Sequence, residues 1–216
     1  MTLTLPTALW VFIQSCCEMY NIDESHGLLH AQNTAIWATK LMAISPDEQA
    51  ISPDEERMII YGAALHDMCD AKYTDVKSAG AHIHNWLIEQ NWTNQDATAL
   101  IAIIQTISYS KLKKILKVNP LDANPAYPDH GRWQRAYHII RHADLLEGYS
   151  VRRCMLYTQH SQPGKSMEDY WEIVTEVFQR RILLYVSDGW IFLPQAKIYA
   201  KVLDQEARNA LDNHLD

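Results

Sequence analysis

The chain has 216 residues with a formal charge of −7, of which 48% are hydrophobic and 21% charged. That is ordinary globular composition, which excludes wholesale disorder, and the acidic balance speaks against a general nucleic-acid binder, whose affinity would come from lysine and arginine on phosphates. Only 7 glycines are present and none form a GxG pair, so a Walker loop and a dinucleotide fingerprint are excluded and an all-β chain is disfavoured.

The first ten residues carry no positive run, and the apolar stretch 8–13 falls far short of the ~20 residues a membrane span needs. The expectation is a chain that begins at Met1, has no membrane partner and works in the cytoplasm. Cys16, Cys17, Cys69 and Cys154 form no CxxC pair, which fits reduced thiols rather than a disulfide framework. Helical patterning covers 9–20 and 27–43. The hexapeptide AISPDE then occurs twice, at 43–48 and 50–55, each copy offering Ser as N-cap, Pro at the first helical position and Glu three residues after Ser. The second copy launches a helix over 53–68, followed by one over 75–89. Thr93 with Asp96 starts another, carrying Ala99, Ile103 and Ile107. Beyond an irregular, proline-containing segment at 119–130, apolar spacing predicts a helix over 132–157. Ser166 with Asp169 starts the next, through Leu183, and Pro194 opens the last. Residues 182–186 and 190–193 look strand-like but are short enough to be buried helix. The prediction is an all-α protein with one domain over 1–216, its core at 23–148 and its C-terminal helices at 166–214 packing on that core.

Ten histidines are generous for this length. The most pointed local signal is Ala63-Ala64-Leu65-His66-Asp67, a small apolar run that ends in adjacent His and Asp. Burying such a step is costly unless both groups are engaged, and metal coordination engages both. His26 and His30 share a helical face upstream, and Asp144 enters the apolar helix Ile139-Ile140-Arg141-His142-Ala143-Asp144 downstream. Each of these, taken alone, also reads as a satisfied core or cap residue.

Together they resemble a family. The order His30, His66-Asp67, Asp144 is similar to the H…HD…D signature of HD-domain metal-dependent phosphohydrolases, in particular their small single-domain members. Asp23-x-Ser25-His26-x-x-x-His30 resembles the start of the family's first metal helix, and Leu65-His66-Asp67-x-x-Asp70-x-Lys72 its extended HD segment. Ile104-x-x-Ile107-Ser108-Tyr109-Ser110-Lys111 resembles a helix end of the family, and Asp144-Leu145-Leu146-Glu147 its acidic D-x-L-D step. The resemblance implies a compact helical bundle with a metal site between central helices. It implies one divalent ion (Mn, Fe, Ni, Zn or Mg) on His30, His66, Asp67 and Asp144. It further implies Asp67 and Asp70 in catalysis, with Lys72, His26 and Lys111 on a small phosphorylated substrate. The activity would be hydrolysis of a phosphomonoester or pyrophosphate in a nucleotide or related metabolite. Lys111 also belongs to a basic run with Lys113, Lys114 and Lys117 that could steer an anionic substrate but reads more readily as a solvated helix face.

The sequence departs from the family at Gly27, often Asp; at Asn33, commonly Arg; and at His142, in place of an acid. Two further readings stay open. One is a dinuclear iron oxygenase on the same scaffold, drawing on His82, His84, His138 and His142. The other is a helical module that binds a metal or ligand without turnover. The oligomeric state is open, with a homodimer among the options.

Overall fold

A computed structural model describes residues 6–43, 50–116 and 127–214, and among these the chain is all-helical with no strand. The ten α-helices are α1 (Thr7–Tyr20), α2 (Leu28–Ala43), α3 (Pro53–Leu65), α4 (Val76–Glu89), α5 (Asn94–Ile104), α6 (Tyr109–Leu116), α7 (Gln134–Glu147), α8 (Val151–Ser161), α9 (Met167–Arg180) and α10 (Pro194–Asp212). Most of the starts expected from capping chemistry are in place. Ser52 accepts from the Glu55 N–H, Thr93 from the Asp96 N–H, and Ser166 with Asp169 forms a full capping box. Glu55 completes no box of its own, because its carboxylate crosses the bundle to Arg135 on α7. The first AISPDE copy, Lys117 and the segment 119–126 lie outside the described residues.

Three expected boundaries shift. The helix expected over 132–157 is two, parted at Gly148: α8 starts afresh with the Ser150 hydroxyl accepting from the Arg153 N–H. The helix from Thr93 ends at Ile104, short of Ile107, and Tyr109 opens a separate helix, so the ISYSK segment is a start rather than an end. The strand-like run after α9 closes as a 3₁₀ turn, Ile182–Leu184.

α2, α3 and α7 pack most extensively on one another and form the centre. Their shared faces are built from small and branched side chains, with Ala31, Ala35, Ala63, Ala64, Ile140 and Ala143 all buried. Gly62 lies at a tight approach of α3 to α7, since a Cβ there would lie 2.4 Å from Ile140 Cδ1. Close contact of this kind fixes helix positions to a fraction of an ångström, and each of the three helices delivers part of one cluster of polar side chains. No helix among the described residues is long and apolar enough to cross a membrane.

Candidate metal centre

His30 comes from the first turn of α2, His66 and Asp67 from the end of α3, and Asp144 from α7. The chain stays helical through His66, whose φ and ψ are −59° and −31°, and then turns tightly. That turn keeps the His66 Nδ1–H on the Ala63 carbonyl at 2.8 Å and aims Nε2 inward. The two Nε2 atoms of His30 and His66 are 3.0 Å apart, and each lies 3.2 Å from Asp67 Oδ2. Asp144 Oδ1 closes the group at 3.5 Å from His66 and 3.7 Å from His30. His30, His66 and Asp144 are buried or nearly so and can together hold a metal ion. Asp67 Oδ2 reaches both imidazoles but is not part of that group of three.

The cluster sets two carboxylates against one charged imidazole. Burial works to lower the His66 pKa, but the Asp67 and Asp144 carboxylates outweigh it and push it up to about 10. His30 is pushed down to about 3, by burial and then by the Arg153 guanidinium. Both carboxylates stay ionised: burial opposes this, and the His66 charge overcomes it. The cluster therefore favours positive charge in a buried space. One orphaned atom points the same way: Asp67 Oδ2, which faces both Nε2 atoms, has no well-directed hydrogen-bond donor among the described residues.

The cluster lies at the floor of a cleft of about 230 Å³, which its two carboxylates, Asp67 and Asp144, line. Asp70 is buried at its rim rather than exposed. Its Oδ1 accepts from the Lys72 N–H at 2.9 Å while Oδ2 faces Lys111 Nζ at 3.7 Å. The Lys72 ammonium does not pair with Asp70; it lies 3.3 Å from His26 Nε2 and 4.9 Å over the Tyr157 ring. His26 is buried too, with Ser25 Oγ at 2.7 Å and Tyr73 Oη at 2.9 Å from its Nδ1, and Tyr73 donates in turn to Asp23. Asp23 thus holds the turn that starts α2: burial would raise its pKa, and the bonds from His26, Ser25 and Tyr73 bring it below the carboxylate range. Of the eight residues expected at the site, His26, Asp67, Asp70, Lys72 and Asp144 line this cleft, while His30 and His66 sit against Asp67 and Lys111 faces Asp70.

Other expected contributors sit elsewhere. His82 bonds to Tyr20, His84 lies beside Thr98, and His138 and His142 face Phe192, so none of these four joins the cluster. Glu147, expected in the acidic step, bonds instead to α2, where Asn33 and Trp37 donate to it at 3.0 and 3.3 Å. Asn33 therefore has a partner of its own in place of the commoner arginine's. Two cleft residues had no signal in the sequence pattern. Arg153 donates from Nε to the Ser25 carbonyl at 2.7 Å and brings a terminal nitrogen to 4.0 Å from Asp67 Oδ2. Arg181, just past α9, stands 5.4 Å over the Tyr109 ring on the cleft wall.

No family of known proteins, no curated protein and no solved structure matches the chain.

Proposed function

We infer that the chain is a metal-dependent phosphohydrolase acting on a phosphomonoester or pyrophosphate of a nucleotide or related small metabolite. One observation carries this reading: two imidazoles and two carboxylates meet on the floor of a cleft whose walls supply cations. The resemblance of the same residues to the HD signature supports it.

His30, His66, Asp67 and Asp144 would hold one divalent ion, and this mixed nitrogen and oxygen set suits Mn²⁺, Fe²⁺, Ni²⁺ or Zn²⁺ better than Mg²⁺. Such an ion, when bound, supplies Lewis-acid polarisation of a phosphoryl oxygen and acidifies a water. The remaining work falls to the chain itself. Lys72 and Arg153 offset phosphoryl charge on two sides of the floor, and Arg153 does so with a fixed fork because Nε is tied to the Ser25 carbonyl. Asp70 is restrained by its bond to the Lys72 N–H and by Lys111, so its carboxylate is positioned to take a proton from water or return one to the leaving oxygen. The Asp23, Ser25 and Tyr73 set holds the His26 ring so that Nε2 faces the Lys72 ammonium.

Purified protein with Mn²⁺, incubated with a panel of nucleotides and sugar phosphates, should release phosphate or pyrophosphate above an Asp67→Ala control. No release above that control would sink the reading. Tight metal binding without turnover would leave a metal-holding module in its place, and two ions per chain would point to the oxygenase.

A further inference from the structure

We propose that the cleft binds two phosphoryl groups of one ligand, the first at the His–Asp floor and the second at Arg181 and the start of α6, which makes the substrate class a diphosphate. This rests on the phosphohydrolase reading for the role of the floor, but the second position stands on different residues.

Charge is the first argument. In a chain of net −7, neither Lys72 nor Arg181 has an ion-pair partner among the described residues, although both line the cleft. Asp70 is already matched by Lys111. A single phosphoryl group at the floor is served by Arg153 and Lys72, which leaves the Arg181 guanidinium over.

Geometry is the second. Arg181 rests against Tyr109, which packs on Tyr185 at 5.5 Å and on Trp190 at 4.7 Å. A guanidinium backed by a ring keeps its in-plane N–H groups for an anion. The Ser108 hydroxyl, buried beside it in the cleft wall, has no hydrogen-bond partner among the described residues. The first turn of α6 at Tyr109 and Ser110 opens onto the same space, where backbone N–H groups lack helical acceptors. Both arginines line this one cleft of about 230 Å³, as do Asp67 and Asp144. One small ligand therefore meets the floor, Arg153 and Arg181 together.

The test uses uncleavable probes, methylphosphonate with one phosphonate group and methylenediphosphonate with two, titrated by calorimetry into Mn²⁺-loaded protein. Wild type should bind the two-group probe at least about tenfold more tightly, the ratio expected of one added charge-assisted contact. Arg181→Ala should bring that ratio to near unity while methylphosphonate affinity stays essentially unchanged. Arg181 is exposed, so folding is not at issue. Arg180→Ala is the control, because Arg180 pairs with Glu176 outside the cleft. A wild type with no two-group preference, a preference that survives Arg181→Ala, or equal weakening of both probes would each overturn the proposal. Failure of the second position leaves metal content and phosphate release from monophosphates intact, whereas failure of the phosphohydrolase reading removes that release.

Discussion

His66 and His142 are both fully enclosed, and both donate from Nδ1 to a backbone carbonyl of their own helical turn, Ala63 at 2.8 Å and His138 at 2.6 Å. They differ at the other nitrogen. His142 Nε2 accepts the N–H groups of Phe192 and Leu193 at 3.0 and 3.3 Å, which pins the link into α10 to α7. His66 Nε2 faces a second imidazole and two carboxylates. One ring is closed by the protein and the other is not. Identical residues with the same Nδ1 bond thus differ by what faces Nε2, two backbone N–H groups in one case and a second imidazole with two carboxylates in the other.

The largest effect that could break this contrast is metal loss. Asp67→Ala should lower metal affinity at least about a hundredfold, more than is typical for an outer partner of a ligand, as read by metal content after dialysis. His142→Ala should leave metal content unchanged, and if it emptied the site the two histidines would not be separable. Stability should show the reverse order. His142→Ala strands buried backbone groups and opens a cavity, so urea denaturation should find a loss of about 2–4 kcal/mol.

Acid sharpens the comparison further. Burial, and after it Arg141, pushes His138 down to about 4 and holds His142 below its ordinary range. The unfolded chain then binds protons that the folded one refuses. The stability these groups contribute is full above about pH 6.5 and is lost as pH falls from there towards 4, by up to roughly 1.4 kcal/mol per pH unit for each ring. His138→Gln should flatten that slope measurably in urea titrations between pH 7 and 5; an unchanged slope would show that these rings are not its source. The smallest effect lies where the two regions share a helix pair. Gly62→Ala should cost about 1 kcal/mol by overpacking, and Ile140→Val, which removes the facing Cδ1, should recover most of it. Without recovery, the α3–α7 contact is not what Gly62 serves.

Much of the site was legible because its signals are local. Ser52, Thr93 and Ser166 act through atoms three residues away, and His66-Asp67 is a dipeptide at the end of an apolar run. The order of His30, His66-Asp67 and Asp144 then needed only helices to bring it together. Boundaries were harder. The pattern of 132–157 is apolar straight through, and the break at Gly148 is set by the new cap at Ser150 rather than by a lapse in periodicity. Arg153 and Arg181 had no legible signal at all. Each is an ordinary charged residue in its own helix or link, and only the turn from α7 into α8 and the end of α9 swing them over a cleft built mainly from earlier segments.

The bond from His66 to Ala63 lies within one turn of one helix, so the aim of that ring is written into the C-terminus of α3. Seen as an assembly problem, tolerances in this centre are unequal. A core substitution that shifts α2 re-aims His30, and one that shifts α7 re-aims Asp144, while His66 and Asp67 keep a common datum. The spacing of the four side chains is thus set by where α2 and α7 stand against a fixed α3.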